Sequence, residues 1–152
     1  MRQFKLDTID DGEKILSYKE YLVICGKHPW IFLKDGTYIA KLKAIRNAYE
    51  MVFLPNDTVL IDGGADRSYH LVSLENGEIL WSYAKKGKRE LSPIKFVVSP
   101  NKQTIYYIGR HFFHQRHGII HIQFFHHGFQ FQIGETADEG LLLLRFHLHE
   151  DF

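Results

Sequence analysis

The sequence predicts an all-β chain assembled from a repeating four-strand unit of about 40 to 45 residues. Three observations lead there. Short segments rich in β-branched and aromatic residues follow one another along most of the chain, and Gly, Asn, Asp and Pro punctuate them. Two turn-bearing elements return at fixed offsets. No 3.6-residue apolar stripe of helical length interrupts the series.

Ten strands are expected in order: Tyr21 to Cys25, Trp30 to Leu33, Tyr38 to Leu42, Glu50 to Leu54, Val59 to Ile61, His70 to Leu74, Ile79 to Tyr83, Ile94 to Val98, Thr104 to Ile108 and Gly118 to Ile122. Asp35-Gly36 and Asn76-Gly77 stand between strands. Because Gly, Asn and Asp tolerate positive φ, tight type I′ hairpins are expected at both pairs.

The repeat sets these hairpins in register. Ile31 to Thr37 lies over Val72 to Glu78 at an offset of 41, and Tyr21 to Gly26 lies over Thr58 to Gly63 at 37. Phe53 to Gly63, with Pro55-Asn56, lies over Val98 to Gly109, with Pro100-Asn101, at 45 rising to 46. One domain over residues 1–152 is therefore expected, with repeats near 15–54, 55–98 and 99–152. Its turn punctuation thins after Arg110, as it would in an altered or truncated segment over 110–152.

Leu71 to Tyr83, in which Asn76-Gly77 precedes a strand carrying Trp81, resembles the blade signature of quinoprotein-like and WD-like β-propellers. Ser73 stands where the quinoprotein signature has Asp, and Ala40 and Gln132 stand at the Trp position of the other copies. The resemblance implies consecutive four-stranded antiparallel propeller-like blades. About three copies are fewer than the four that close a ring, so an incomplete or open propeller is expected, with association of copies as one means of closure.

Composition narrows the function classes. Nineteen Lys plus Arg against eighteen Asp plus Glu leave a net charge of +1, which gives no electrostatic footprint for nucleic acid. The densest basic run, Lys85, Lys86, Lys88 and Arg89, reads as a solvated loop. Met1 to Lys14 is charged and carries no apolar core of a signal sequence, and no stretch approaches a membrane span, so a cytoplasmic location is expected. One cysteine, Cys25, excludes an internal disulfide. It reads as a small strand residue, since a nucleophile would need His28 as its base.

Eight of the ten histidines lie after Arg110. Imidazole is the commonest ligand for zinc, copper and nickel, which makes His114, His117 and His121 the candidate metal ligands. On a regular strand His117 and His121 share a face while His114 points the other way, so a site would need an irregular segment at 111–117. Asp62, Asp66 and Arg67 form the polar group to inspect for acid-base work, with a solvated or surface-paired loop as the simpler expectation. Trp81, Tyr83, Trp30 and the pairs Phe112-Phe113 and Phe124-Phe125 are expected to fill the core between sheets rather than form a ligand platform.

These expectations converge on a non-catalytic binding module for a protein partner, with no cofactor. A quinoprotein-like oxidoreductase and a histidine-mediated metal-binding protein are the alternatives.

Overall fold

The computed structural model describes residues 12–63, 68–84, 93–111, 114–125, 128–137 and 140–149. It is all-β among these residues, as the sequence predicts. The strands are β1 (Gly12–Tyr18), β2 (Tyr21–Gly26), β3 (Trp30–Leu33), β4 (Tyr38–Lys41), β5 (Ala48–Leu54), β6 (Thr58–Gly63), β7 (Ser68–Ser73) and β8 (Ile79–Ala84). They continue with β9 (Pro93–Val98), β10 (Thr104–His111), β11 (His114–Phe125), β12 (Gly128–Ala137) and β13 (Gly140–His149). Consecutive strands pair into two open four-stranded sheets, β1-β2-β3-β4 and β5-β6-β7-β8, and one five-stranded sheet, β9 to β13. The strand pairings among the described residues of β1 to β4, β6 to β8 and β9 to β13 are antiparallel. Two compact units result: Met1–Phe53 with Asp57–Lys85, and Lys86–Phe152 with Leu54–Asn56.

All ten predicted strands are present, with ends within two residues for the first eight and up to four residues short for β10 and β11. The ten expected strands omit β12 and β13, which follow Ile122, and β1, whose only strong signal is the short run Ile15, Leu16 and Tyr18 in a charged stretch. The third sheet also departs from the four-strand unit. Where the first two copies turn back through a glycine, β11 runs on past Ile122 to Phe125, because no Gly, Asn or Pro stops it before Gly128. Phe125 pairs with Gly128, and residues 126–127 lie outside the described residues.

The hairpin turns hold a correction. Only Gly36 (φ 96°) and Gly77 (φ 75°) of the two predicted pairs have positive φ; Asp35 and Asn76 do not. Gly36 N–H donates to the Leu33 carbonyl and Leu33 N–H to that of Thr37, which is a type I turn followed by a glycine bulge. The second loop is one residue longer, with Ser73 N–H on the Glu78 carbonyl and Gly77 N–H on that of Ser73. Loops of this length need one left-handed residue, where a two-residue type I′ loop needs two. Asp35 and Asn76 act through their side chains instead, each accepting from the backbone N–H two positions on at 2.9 Å. Consecutive positive φ values occur at Asn56 (60°) and Asp57 (50°), so the type I′ geometry belongs to the Pro-Asn turn between β5 and β6.

The longer loop alters the repeat alignment. Val23 pairs with Ile31, and its equivalent Leu60 pairs with Leu71, so strand residues of β3 and β7 correspond at 40 while the turn glycines correspond at 41. The one-residue difference decides which side chains share a face. A backbone clasp recurs in all three sheets: the carbonyl just before a strand accepts from the N–H at or beyond the end of its pairing with the next strand, as Lys34 N–H to Glu20, Leu74 N–H to Asp57, and Ile122 N–H to Gln103.

Sheets one and two pack face to face. Tyr21, Val23, Cys25 and Ile31 from the first meet Val59, Ile61 and Val72 from the second, with Leu42, Ile45, Met51 and Leu74 closing the cluster. Leu16, Tyr18 and Phe53 pack at its margin, and the Tyr18 and Phe53 rings stack at 5.0 Å. Each fully buried aliphatic here contributes roughly 1.5–3 kcal/mol. The other face of sheet two carries Leu60, Asp62, Tyr69, Leu71, Trp81 and Tyr83, also buried, so both faces of this sheet are shielded from water.

At one end of this packing Lys19 Nζ meets Asp57 Oδ1 at 2.8 Å, tying the β1-β2 turn to the β5-β6 turn. That hydrogen bond raises the Lys19 pKa, and burial followed by the nearby Asp57 charge raises that of Tyr21. Both groups therefore hold their protons more tightly folded than unfolded. Their stabilisation is fully present below the ordinary values of 10.0 for Tyr and 10.5 for Lys, and is lost as pH rises through the folded values. The urea midpoint is expected to fall between about pH 9 and 11, less steeply in Tyr21→Phe. A midpoint that rises across this window would contradict the assignment.

Candidate functional site

The two faces of sheet one differ in kind. One is the core already described. The other is built by the alternate residues of the same strands, and register fixes its membership: Ile15 lies beside Ile24, which lies beside Trp30, which lies beside Lys41, while Ser17, Leu22, Phe32 and Tyr38 form the adjoining row. An alternation of this sort should place polar side chains on a solvent face. Here six of the eight are apolar or aromatic.

Three of them form an aromatic cluster. Trp30 and Phe32 lie nearly parallel, with centroids 6.1 Å apart, and Tyr38 stands edge-on to both at 6.1 and 5.9 Å. Lys41 Nζ sits 4.7 Å over the Trp30 ring, a cation–π contact, while Lys41 N–H donates to the Tyr38 hydroxyl at 3.0 Å. A bulge between Ile31 and Phe32 makes the cluster possible, since the extra β4 residue, Ile39, brings Tyr38 opposite Phe32 and Lys41 opposite Trp30. Tyr38 remains 57% exposed and Ile15 62%, Trp30 and Leu22 are half-buried, and Ile24 and Phe32 between them are buried. Such a surface suits burial against another apolar face.

The residues singled out from the sequence are distributed elsewhere. Cys25 is buried, its thiol donating to Met51 Sδ at 3.6 Å, and His28 Nδ1 lies 3.1 Å from the Ile45 carbonyl. Cys25 is thus a core strand residue, as expected. Trp81 and Tyr83 are buried and stacked at 6.0 Å, also as expected, whereas Trp30 belongs to the open face. Asp62 is fully buried in β6, which replaces the solvated setting expected for it. Two polar positions follow β6 inward from the loop: His70 Nδ1 lies 2.7 Å from Ser82 Oγ on the neighbouring strands. Asp66, Arg67, the Lys85 to Arg89 run and Phe112-Phe113 lie outside the described residues. His114, His117 and His121 are all on β11, where His114 pairs with His111, His117 with Ile108 and His121 with Thr104. The irregular segment expected at 111–117 is not seen among the described residues of that span, since β10 runs to His111 and β11 is continuous from His114; 112–113 lie outside the described residues. Among the described residues no group of three His, Cys, Asp or Glu side chains is placed to hold a metal ion.

Sequence reasoning missed Ile15, Leu22, Tyr38 and Lys41 as members of one surface. Leu22, Trp30 and Phe32 are visible as alternate strand positions, but the β4 bulge has no marker in the sequence.

No protein-family model and no curated protein matches the chain. Solved structures do resemble it. It is similar to hydrazine synthase of Kuenenia stuttgartiensis, at a TM-score of 0.51 and 10% identity over 85% of this chain and 51% of that one. It is likewise similar to a protein of Bacteroides fragilis assigned as a 6-phosphogluconolactonase, at 0.50 and 11% identity over 83% of this chain and 50% of that one. The chain thus spans about half the length of these relatives in structure. At such identities the likeness is one of fold: stacked antiparallel sheets in a propeller-like arrangement. Among the described residues no helix is long and apolar enough to cross a membrane.

Proposed function

We propose that this chain is a non-catalytic, propeller-like interaction module that engages a protein through the open face of its first sheet. The observation that carries this is the aromatic cluster of Trp30, Phe32 and Tyr38, flanked by exposed Ile15 and capped by Lys41, on a sheet whose opposite face is ordinary core. Two-ring and three-ring surfaces with a neighbouring cation resemble the aromatic-rich centres of protein interfaces. A photoreactive benzoylphenylalanine placed at Tyr38 is expected to form a discrete protein adduct in the producing cell, and the same probe at exposed Asn76 is expected to form none. No adduct at position 38, or equal labelling at both, would overturn the proposal.

A further inference from the structure

The β4 side of sheet one carries a charge that the chain as a whole does not. Between Glu20 and Glu50 the sequence holds Lys27, Lys34, Lys41, Lys43 and Arg46 against Asp35 alone, a local net charge of +4 in a chain whose total is +1. Lys34 and Asp35 adjoin in the β3-β4 turn and offset one another. The other four cations belong to the opposite end of the sheet, in or beside the loops after β2 and β4. Backbone bonds lace those loops together: Leu42 N–H donates to the Pro29 carbonyl at 2.8 Å, and Asn47 N–H to that of Lys27 at 2.9 Å. Neighbouring acidic residues do not cancel this charge. Glu50 of β5 is taken by Lys14 of β1, 3.6 Å away, and Glu13 in the β1 bulge leaves the balance positive. Lys27, Lys43 and Arg46 are exposed, and neither Lys27 nor Lys43 has a carboxylate partner among the described residues.

An exposed aromatic lies against the same end. Tyr38 reaches back along β4, where its hydroxyl accepts the Lys41 N–H, and Lys41 Nζ in turn sits over the Trp30 ring. Leu42 N–H points toward β3, so the N–H before it points away from the sheet, and the Tyr38 hydroxyl occupies that outward donor of an edge strand. A partner is therefore held here by side chains rather than added as a further strand. Ile24 and Phe32 at the middle of the face are buried, which leaves this β4 margin as the part a partner reaches.

We infer that the partner presents an acidic segment, whose carboxylates meet Lys27, Lys41, Lys43 and Arg46 while an apolar side chain of the segment lies on the Tyr38 ring. This rests on the interaction-module reading and adds the partner's chemistry. A protein segment fits this margin better than a nucleic acid strand, because successive bases need several open ring faces. Here Lys41 sits over Trp30, Phe32 is buried, and Tyr38 alone of the three rings is exposed.

Fluorescence anisotropy of a labelled peptide with Glu and Asp around a central Leu tests this on the full chain. Binding is expected at low salt and is expected to weaken steeply as salt rises, with none for the Gln and Asn counterpart of the peptide. Lys27→Glu/Lys43→Glu should weaken binding at least about tenfold. The control Lys34→Glu/Lys102→Glu changes the total charge equally, away from this end, and should weaken it less than about twofold. All four lysines are exposed, so the fold should survive, as circular dichroism would verify; Lys27→Gln/Lys43→Gln gives the same reading if a reversal misfolds. No binding of the acidic peptide would overturn the inference, as would equal losses from the two double variants or tighter binding of an oligothymidylate than of the peptide. The module reading is judged separately. An adduct at position 38 together with no acidic-peptide binding removes the acidic partner and leaves the interaction module standing.

Discussion

Replacing Gly77 by Ala is expected to destabilise the fold by about 2–4 kcal/mol, from two separable causes. The first is conformational: Gly77 sits at φ +75°, and an L side chain in the left-handed region costs roughly 1–2 kcal/mol. The second is steric. A Cβ at position 77 would overlap the Cβ of Ala40 on β4, far inside van der Waals contact, and would also touch Leu42 Cδ2 at 3.5 Å. The turn of the second sheet therefore approaches the first at a place where neither backbone has room to give, and overpacking of this kind costs about 1–3 kcal/mol. Urea unfolding followed by tryptophan fluorescence should show a lower midpoint at unchanged slope. Adding Ala40→Gly should return the steric part only, so the double mutant is expected to be more stable than the sum of the two single changes predicts, by at least about 0.5 kcal/mol. Strict additivity would show that the approach of the two sheets is looser than the geometry has it.

Ile61→Ala is the second large effect, expected at about 2–5 kcal/mol, with Ile61→Val at about 0.5–1.5. Ile61 is fully buried on the face of sheet two that packs against sheet one, within the cluster formed with Val23, Cys25 and Ile31. Removing its outer carbons leaves a cavity between two sheets, each held by its own ladder, and the ladders limit how far the walls can collapse. Ile15→Ala, at a position 62% exposed, is the matched control and should change stability by less than about 0.5 kcal/mol. Similar losses at the two positions in chemical unfolding would mean that the described core is not what holds the sheets together.

The strands were legible because their signals are local. Alternating residues in segments such as Tyr21 to Cys25 and Thr104 to Ile108, bounded by Pro-Asn and Asp-Gly, need no knowledge of neighbours. Face membership was less legible, since it depends on register. The extra residue in the Leu74 to Gly77 loop displaces the apparent offset by one, and a displacement of one inverts which side chains look inward. The candidate surface was obscured for the same reason: Trp30 reads as core until the bulge opposite it shows Tyr38 and Lys41 as its companions. Asp62 illustrates the converse, a charged residue beside Gly63-Gly64 that local composition assigns to a solvated loop and that the strand carries into the interior.

The threefold clasp on the carbonyls of Glu20, Asp57 and Gln103 bears on how such a chain diverges over time. Donor and acceptor are main-chain atoms in every copy, and the residues supplying them differ in charge, size and polarity: Lys34 with Glu20, Leu74 with Asp57, Ile122 with Gln103. Mutation at these six positions changes a side chain and leaves the bond in place, with proline at a donor as the exception. Selection on geometry therefore imposes almost no constraint on residue identity there, and the three sheets can keep this bond while their sequences differ at every one of these positions.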